Sequence, residues 1–420
     1  MFRTDARRWL ALEAAAFLLR AGLAVLTEHH PLFPPYYYQD ATFTDNLARD
    51  MVGNWKAGRS TALSYSPSQR LHILLTAAVY RVTGARLLAP KIIQAMLGAA
   101  GVLILGFAFS GAFSPGIGLA AAAMVALWPS HAYYTSQNLK EGPVMVLVWL
   151  AFAALMIPRK DERLGPARAA LGIAALVLSG LLRSYAMLAA VGALALGAAW
   201  SLLFGGGRRA AVAVLTCALC APLAYKATAA LMFDRMLSPS VAGPTSASNL
   251  IPVADDASGV VHSPLSPEGL TRFRQLRQYA DRDYAMKTQG RDIATQIEPD
   301  ARFDNWWQVA AFAPRAAFQV LFQPLPGLYP MDGKLGRRLA AAENTALLAI
   351  SLLAVFGLAR RALTEERLVF VAFFAAMALG SALLEFDLGS AGRHKLLYLP
   401  MLFPFAAEEA LRLLRRKESA

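Results

Sequence analysis

Ten stretches of mostly apolar residues, each near the length that crosses a lipid bilayer, constrain this chain more than any other feature. A membrane-crossing helix takes about 20 such residues, with a range of roughly 17–25. The runs lie near 9–27, 91–109, 116–130, 143–157, 168–182, 186–204, 209–228, 343–359, 367–385 and 396–411. Those at 116–130, 143–157 and 168–182 are short and borrow flanking residues. Of the 420 residues, 56% are hydrophobic and 16% charged, against roughly 25% charged in a soluble domain. A soluble globular domain and a disordered chain are therefore excluded. Two cysteines cannot build a disulfide framework; Cys217 and Cys220 fall inside one apolar run and read as packing residues. The expected fold is all-α and polytopic, with about ten transmembrane helices and further interfacial ones.

Charge along the connections sets the sidedness. The excess of 41 Lys+Arg over 28 Asp+Glu points to nucleic acid in a soluble protein, but in a membrane protein cytoplasmic loops collect Lys and Arg. With Arg7 and Arg8 in the cytoplasm, every later basic cluster falls on the same side: Arg159, Lys160, Arg163 and Arg168; Arg208 and Arg209; Arg360, Arg361 and Arg367; and Arg412, Arg415, Arg416 and Lys417. No nucleic-acid partner is implied, and both termini are expected in the cytoplasm. The apolar stretch 71–83 would invert everything after it if it spanned. It is short and carries His72 and Arg81, so it reads as an interfacial or re-entrant helix. A cleaved signal peptide over 1–28 is disfavoured because Glu13 and Arg20 interrupt the run and no small-x-small site follows. The chain divides into an N-terminal transmembrane module, 1–228, with outer loops 28–90 and 131–142; a large outer loop, 229–342; and C-terminal transmembrane helices, 343–420.

The outer segments hold the residues of chemical interest. In PPYYYQDATFTDNLARDMVGNWKAG, Asp40, Thr44, Leu47, Ala48 and Met51 recur at helical spacing, which predicts an amphipathic helix on the membrane with Asp40 near its start. A carboxylate there is ordinarily a helix cap, and Tyr36, Tyr37 and Tyr38 read as an interfacial belt. Lys140 and Glu141 stand at the lip of the next span, as a solvated pair or as part of a site. Arg183 sits between two apolar runs, where a charge is expensive without a partner, and this makes it a functional candidate. Arg393, His394 and Lys395 precede the last span and suit a phosphate or anionic lipid heads. In the large loop, Ser266 and Pro267 predict the start of a polar, solvated helix over 267–298, and Trp306, Trp307 and the apolar run around Pro314 predict an interfacial helix over 303–323. His29, His30, His131 and His394 show no short metal-ligand spacing. A Gly-rich phosphate loop and a Ser/His/Asp pattern are absent.

The order of these segments resembles the polytopic glycosyltransferases of the C-type fold, above all the protein O-mannosyltransferases and the aminoarabinose transferases that modify lipid A. Asp40, Phe43, Asp45, Leu47 and Ala48 loosely match their first-loop pattern of an aspartate, an aromatic and a Leu-Ala pair. Glu141 is similar to their carboxylate entering the next span, GLLRSYAML around Arg183 to their short Arg corner, LFQPLPG to their Pro-rich return, and LGSAGRHKLLYLPML to their last basic segment.

The resemblance implies a C-type architecture and a sugar donor carried on polyprenyl phosphate, with transfer on the outer side of the membrane; the Ala-, Arg- and Gly-rich composition and short basic tail are compatible with a bacterial inner membrane. Asp40 is then the catalytic base with Glu141 assisting, and Arg183, Arg393, Lys395, Lys140 and His394 bind the lipid phosphate. No cofactor is implied, because the leaving group is already activated; a divalent metal has no support in the residues. The acceptor (protein, lipid or glycan) and the sugar are not specified. The rival readings are an O-antigen-type polysaccharide polymerase, a transporter of lipid-linked glycans and a non-catalytic scaffold.

Overall fold

The computed structural model describes residues 2–30, 32, 39–59, 67–156, 164–204, 208–230, 266–289, 295–330 and 335–418. The expectations for Tyr36, Tyr37 and Tyr38 and for Arg159, Lys160 and Arg163 lie outside them. Regular structure in these residues is helical: α1 Phe2–His29, α2 Gln39–Lys56, α3 Pro67–Thr83, α4 Leu88–Ala112, α5 Pro115–Leu127, α6 Pro129–Tyr134, α7 Glu141–Leu155, α8 Pro166–Leu182, α9 Ser184–Phe204, α10 Arg208–Ala229, α11 Pro267–Gln289, α12 Trp306–Phe322, α13 Leu335–Ala359, α14 Glu365–Leu384, α15 Leu388–His394 and α16 Phe403–Glu418.

Among the described residues, six helices are long and apolar enough to cross a membrane: Ala6–His29 of α1, and α4, α9, α10, α13 and α14. The shorter apolar helices α5, α7 and α8 fall where the sequence runs are short. The chain is a multi-pass membrane protein. The expected last span, 396–411, is not one α-helix. It enters as two 3₁₀ turns, Lys395–Leu397 and Leu399–Leu402, and becomes α-helical only at Phe403. Pro400 and Pro404 each lack a backbone donor, so the i→i−4 ladder cannot run through their positions.

Local chemistry explains where helices begin. Ser114 accepts from the Ile117 N–H at 3.4 Å with Pro115 next in line, and Thr364 caps α14 through the Arg367 N–H. The core lies between α4, α5, α7, α8, α9, α10, α14 and the 395–402 turns. Phe109 meets Phe370 edge to face with centroids 5.1 Å apart, and Phe152 meets Phe373 likewise at 5.1 Å. With no water to expel between spans, such contact and close backbone approach hold the helices together. A Cβ at Gly357 of α13 would stand 2.4 Å from the Phe405 carbonyl of α16, so only glycine fits there.

The amphipathic reading of α2 holds. Ala48, Met51 and Val52 pack on Ile73, Ala77 and Tyr80 of α3 in a helical hairpin with its own small core. In the large loop, Ser266 accepts from the Gly269 N–H at 3.0 Å, as an N-cap before Pro267 should. The expected solvated character of this helix is only half right, because Leu270, Arg274 and Gln278 form a buried stripe at four-residue spacing. Arg274 donates to the carbonyls of Leu383 (2.9 Å), Glu385 (3.2 Å), Ile297 (3.0 Å) and Glu298 (3.4 Å). A guanidinium carries enough donors to serve a helix end and a loop at once. Helix α12 runs unbroken through Pro314, with Trp306 and Trp307 exposed.

Candidate functional site

The start of α7, the ends of α8 and α14, the start of α2, and α15 converge on one polar cluster. Glu141 opens α7, and Gly142 beside it lets that turn lie against α4: a Cβ there would meet the Gln94 Oε1 at 2.4 Å. Arg183 ends α8 in an extended conformation (φ −153°, ψ 95°), a one-residue corner before α9. Asp40 lies in the first turn of α2. Glu385 ends α14, and Arg393 and His394 occupy the last turn of α15.

Two arginine–carboxylate pairs define the cluster. Arg393 pairs with Asp40 across 353 residues of sequence, and Arg183 pairs with Glu141. The second pair is fully enclosed, with side chains 9% and 6% exposed; the first sits at the mouth, with Asp40 62% exposed and Arg393 22%. Arg183 also donates through Nη1 to the Tyr185 hydroxyl and to His394 Nε2, and His394 Nδ1 faces Glu385 Oε1. Glu141, Arg183, Tyr185, Arg393 and His394 line one pocket, closed on its apolar side by Val144, Met145 and Leu397.

The charges act on one another. The Arg393 guanidinium holds the Asp40 carboxyl below the usual carboxylate range. Burial works against the charge on Arg393, yet Asp40 and Glu141 keep its pKa above the ordinary guanidinium value. Lys140 is pushed down to about 8 by burial and by the neighbouring charge of Arg183. Burial, assisted by Arg183, lowers His394 against the pull of Glu385.

Six of the seven residues singled out in the sequence therefore stand together: Asp40, Lys140, Glu141, Arg183, Arg393 and His394. Lys395 does not join them. Its ammonium turns to the Leu321 carbonyl (3.3 Å) and the Asn344 side chain, tying the 395–402 turns to α12 and α13, and burial lowers it to about 8. Two members escaped sequence reasoning, Glu385 and Tyr185. The one sign of Glu385 was an acidic residue ending an apolar run in ALLEFDLG, and Tyr185 looked like any interfacial aromatic. Arg20, noted only as an interruption in the first run, is fully buried. It holds residues 131–142 through Thr135 Oγ1 (2.9 Å) and His131 Nδ1 (2.8 Å), and the end of α5 through the Ala126 carbonyl (3.2 Å). Among the described residues, no group of three or more His, Cys, Asp or Glu side chains is disposed to hold a metal ion.

Chemically, the arrangement offers one carboxylate at the mouth of a pocket, Asp40, and one inside it, Glu141, each paired with a guanidinium, with an apolar wall behind. Arginine suits a phosphate because its planar donors match the oxyanion geometry. No protein-family model matches the sequence, and no curated protein matches it. Among solved structures the chain is similar to the crystal structure of ArnT from Cupriavidus metallidurans, determined bound to undecaprenyl phosphate. The match has 14% identity, covers 96% of this chain and 77% of that one, and gives a TM-score of 0.42. So loose a likeness carries no reading of the site, which rests on the residues themselves.

Proposed function

We propose that this protein is an integral membrane glycosyltransferase of the bacterial inner membrane, with both termini cytoplasmic. It moves a sugar from a polyprenyl-phosphate donor to an acceptor hydroxyl on the outer side. The observation that carries the reading is the pairing of Asp40 with Arg393 and of Glu141 with Arg183 in one cluster. Carboxylates for the nucleophile and guanidiniums for a departing phosphate thereby meet at one membrane face.

In the proposed reaction the acceptor oxygen forms a bond to the anomeric carbon while the bond from that carbon to the phosphate oxygen breaks, with inversion. The acceptor proton passes to Asp40, and the electron pair leaves with the polyprenyl phosphate, whose charge Arg183, Arg393 and the Lys140 ammonium balance. Before the donor arrives, Arg393 keeps Asp40 a weak base. A phosphate that draws Arg393 toward itself removes that restraint, so Asp40 gains basicity only when there is a sugar to transfer. Glu141, held by Arg183, orients the acceptor and is freed in the same exchange.

The test is release of polyprenyl phosphate by the purified protein from a panel of polyprenyl-phosphate sugars. Asp40→Asn should retain the fold and donor binding and lose turnover; full turnover in that variant removes Asp40 from the role. A wild-type protein that is folded yet releases no lipid phosphate from any donor would move the reading to a polymerase or transporter.

A further inference from the structure

Arg183 is held by more than Glu141, and the additional contacts have a chemical logic of their own. An arginine only donates. Because its Nη1 points at His394 Nε2, that nitrogen must carry the lone pair, and the proton of the neutral imidazole must sit on Nδ1. Nδ1 in turn faces Glu385 Oε1, which accepts it. The three groups fix one tautomer and one direction of donation, from Arg183 to His394 and from His394 to Glu385. A protonated imidazole would turn an N–H toward the Arg183 N–H and leave two donors face to face. We infer that Glu385 and His394 form a positioning pair that holds the Arg183 guanidinium ready for the donor phosphate, and that protonation of His394 releases it.

The surroundings support this arrangement. Glu385 is 7% exposed and His394 13%, so neither is a casual surface contact. Four groups face the imidazole: Glu385 from the end of α14, Arg183 and Tyr185 from the corner between α8 and α9, and Glu141 from the start of α7, with Arg393 and Lys395 adjacent in sequence. Tyr185 meets the ring edge to face at a centroid distance of 6.1 Å. Glu385 is itself anchored, since the Arg274 guanidinium binds its carbonyl and that of Leu383. Burial keeps His394 below the ordinary imidazole value, so the pair is set at neutral pH and opens on acidification.

The inference rests on Arg183 being a ligand of the lipid phosphate, and the experiment separates the two. Binding of a short-chain polyprenyl phosphate to the full-length protein in detergent is measured between pH 5 and 8 for the wild type, His394→Gln and Glu385→Gln. In the limit, affinity falls about tenfold per pH unit below the imidazole pKa; the ligand's own titration is common to all three proteins. Glutamine at 394 offers Arg183 an acceptor that does not titrate, so the extra acid loss disappears, although binding is weaker at every pH. Glutamine at 385 still accepts from Nδ1 but without charge, so the acid limb moves to lower pH. A role confined to folding would weaken both variants and leave the limb in place, and that result overturns the inference. If His394→Gln does not fold, Glu385→Gln decides alone. A wild type that binds no polyprenyl phosphate at any pH overturns the glycosyltransferase reading and this inference with it.

Discussion

Helix α14 carries a charged cluster at each end, and the two are built in opposite ways. At its start, Arg360 and Arg361 reach Glu409 and Glu408 of α16 with their own side chains 50% and 56% exposed, beside the more enclosed Arg367. At its end, near Glu385, the arginines are withdrawn from water and the Arg183–Glu141 pair is enclosed. Exposed pairs contribute about 0–1 kcal/mol. Buried pairs often stabilise no more than apolar residues of the same volume, because both ions must be desolvated. The first cluster keeps two of its arginines largely in water, although Glu408 and Glu409 are enclosed; stability alone does not explain why the second encloses Arg183, Glu141 and Glu385 together.

Asp40→Asn gives the largest difference between the two ends. Loss of a general base costs about 10²–10⁴-fold in rate, read as lipid phosphate release with an unchanged melting curve, whereas no substitution among Arg360, Arg361, Glu408 and Glu409 should touch turnover. Next comes Arg183→Met, which leaves Glu141 buried and uncompensated and should cost about 3–5 kcal/mol of stability. The double variant Arg183→Met, Glu141→Gln should recover most of that stability while remaining inactive. A double variant as unstable as the single one would mean that the pair is structural after all.

Lys140 provides a pH test of the outer end. It is charged below about pH 8 and loses its proton above. Donor affinity should fall as pH rises through 8, and Lys140→Arg, which stays charged, should abolish that limb. The stability effect has the opposite sign. Between about 8 and the ordinary lysine value, the unfolded chain binds the proton and the folded chain does not, so this group makes folding more favourable as pH rises. Lys395 also lies near 8, and Lys140→Arg separates the two. The smallest effect belongs to the other end: Arg361→Ala should change the unfolding free energy by less than about 0.5 kcal/mol, measured by denaturant unfolding in detergent.

The spans were legible because twenty apolar residues have few other uses, and even the weak runs at 116–130, 143–157 and 168–182 correspond to the short helices α5, α7 and α8. Arg183 was legible for a related reason, as a charge where charges are costly. The partnerships were not. Nothing in the sequence joins Asp40 to Arg393 rather than to Lys140, since the pairing depends on how α2 and α15 lie in space. The direction of Lys395 was not legible either: sequence adjacency to Arg393 suggests a shared direction, whereas the turn after α15 points its side chain toward Asn344. The stripe Leu270, Arg274, Gln278 was hidden for another reason: two of its three members are polar, so it lacks the apolar signature of a buried face.

The distance along the chain between Asp40 and Arg393 also has a consequence for biosynthesis. A ribosome exposes Asp40 early and Arg393 only 353 residues later, so the pocket stays incomplete throughout insertion into the membrane. Glu141 and Arg183 are both synthesised well before translation ends, but the half that would restrain and then release the base waits for α15. A nascent chain stalled at any earlier point carries its carboxylates without their guanidinium at the mouth.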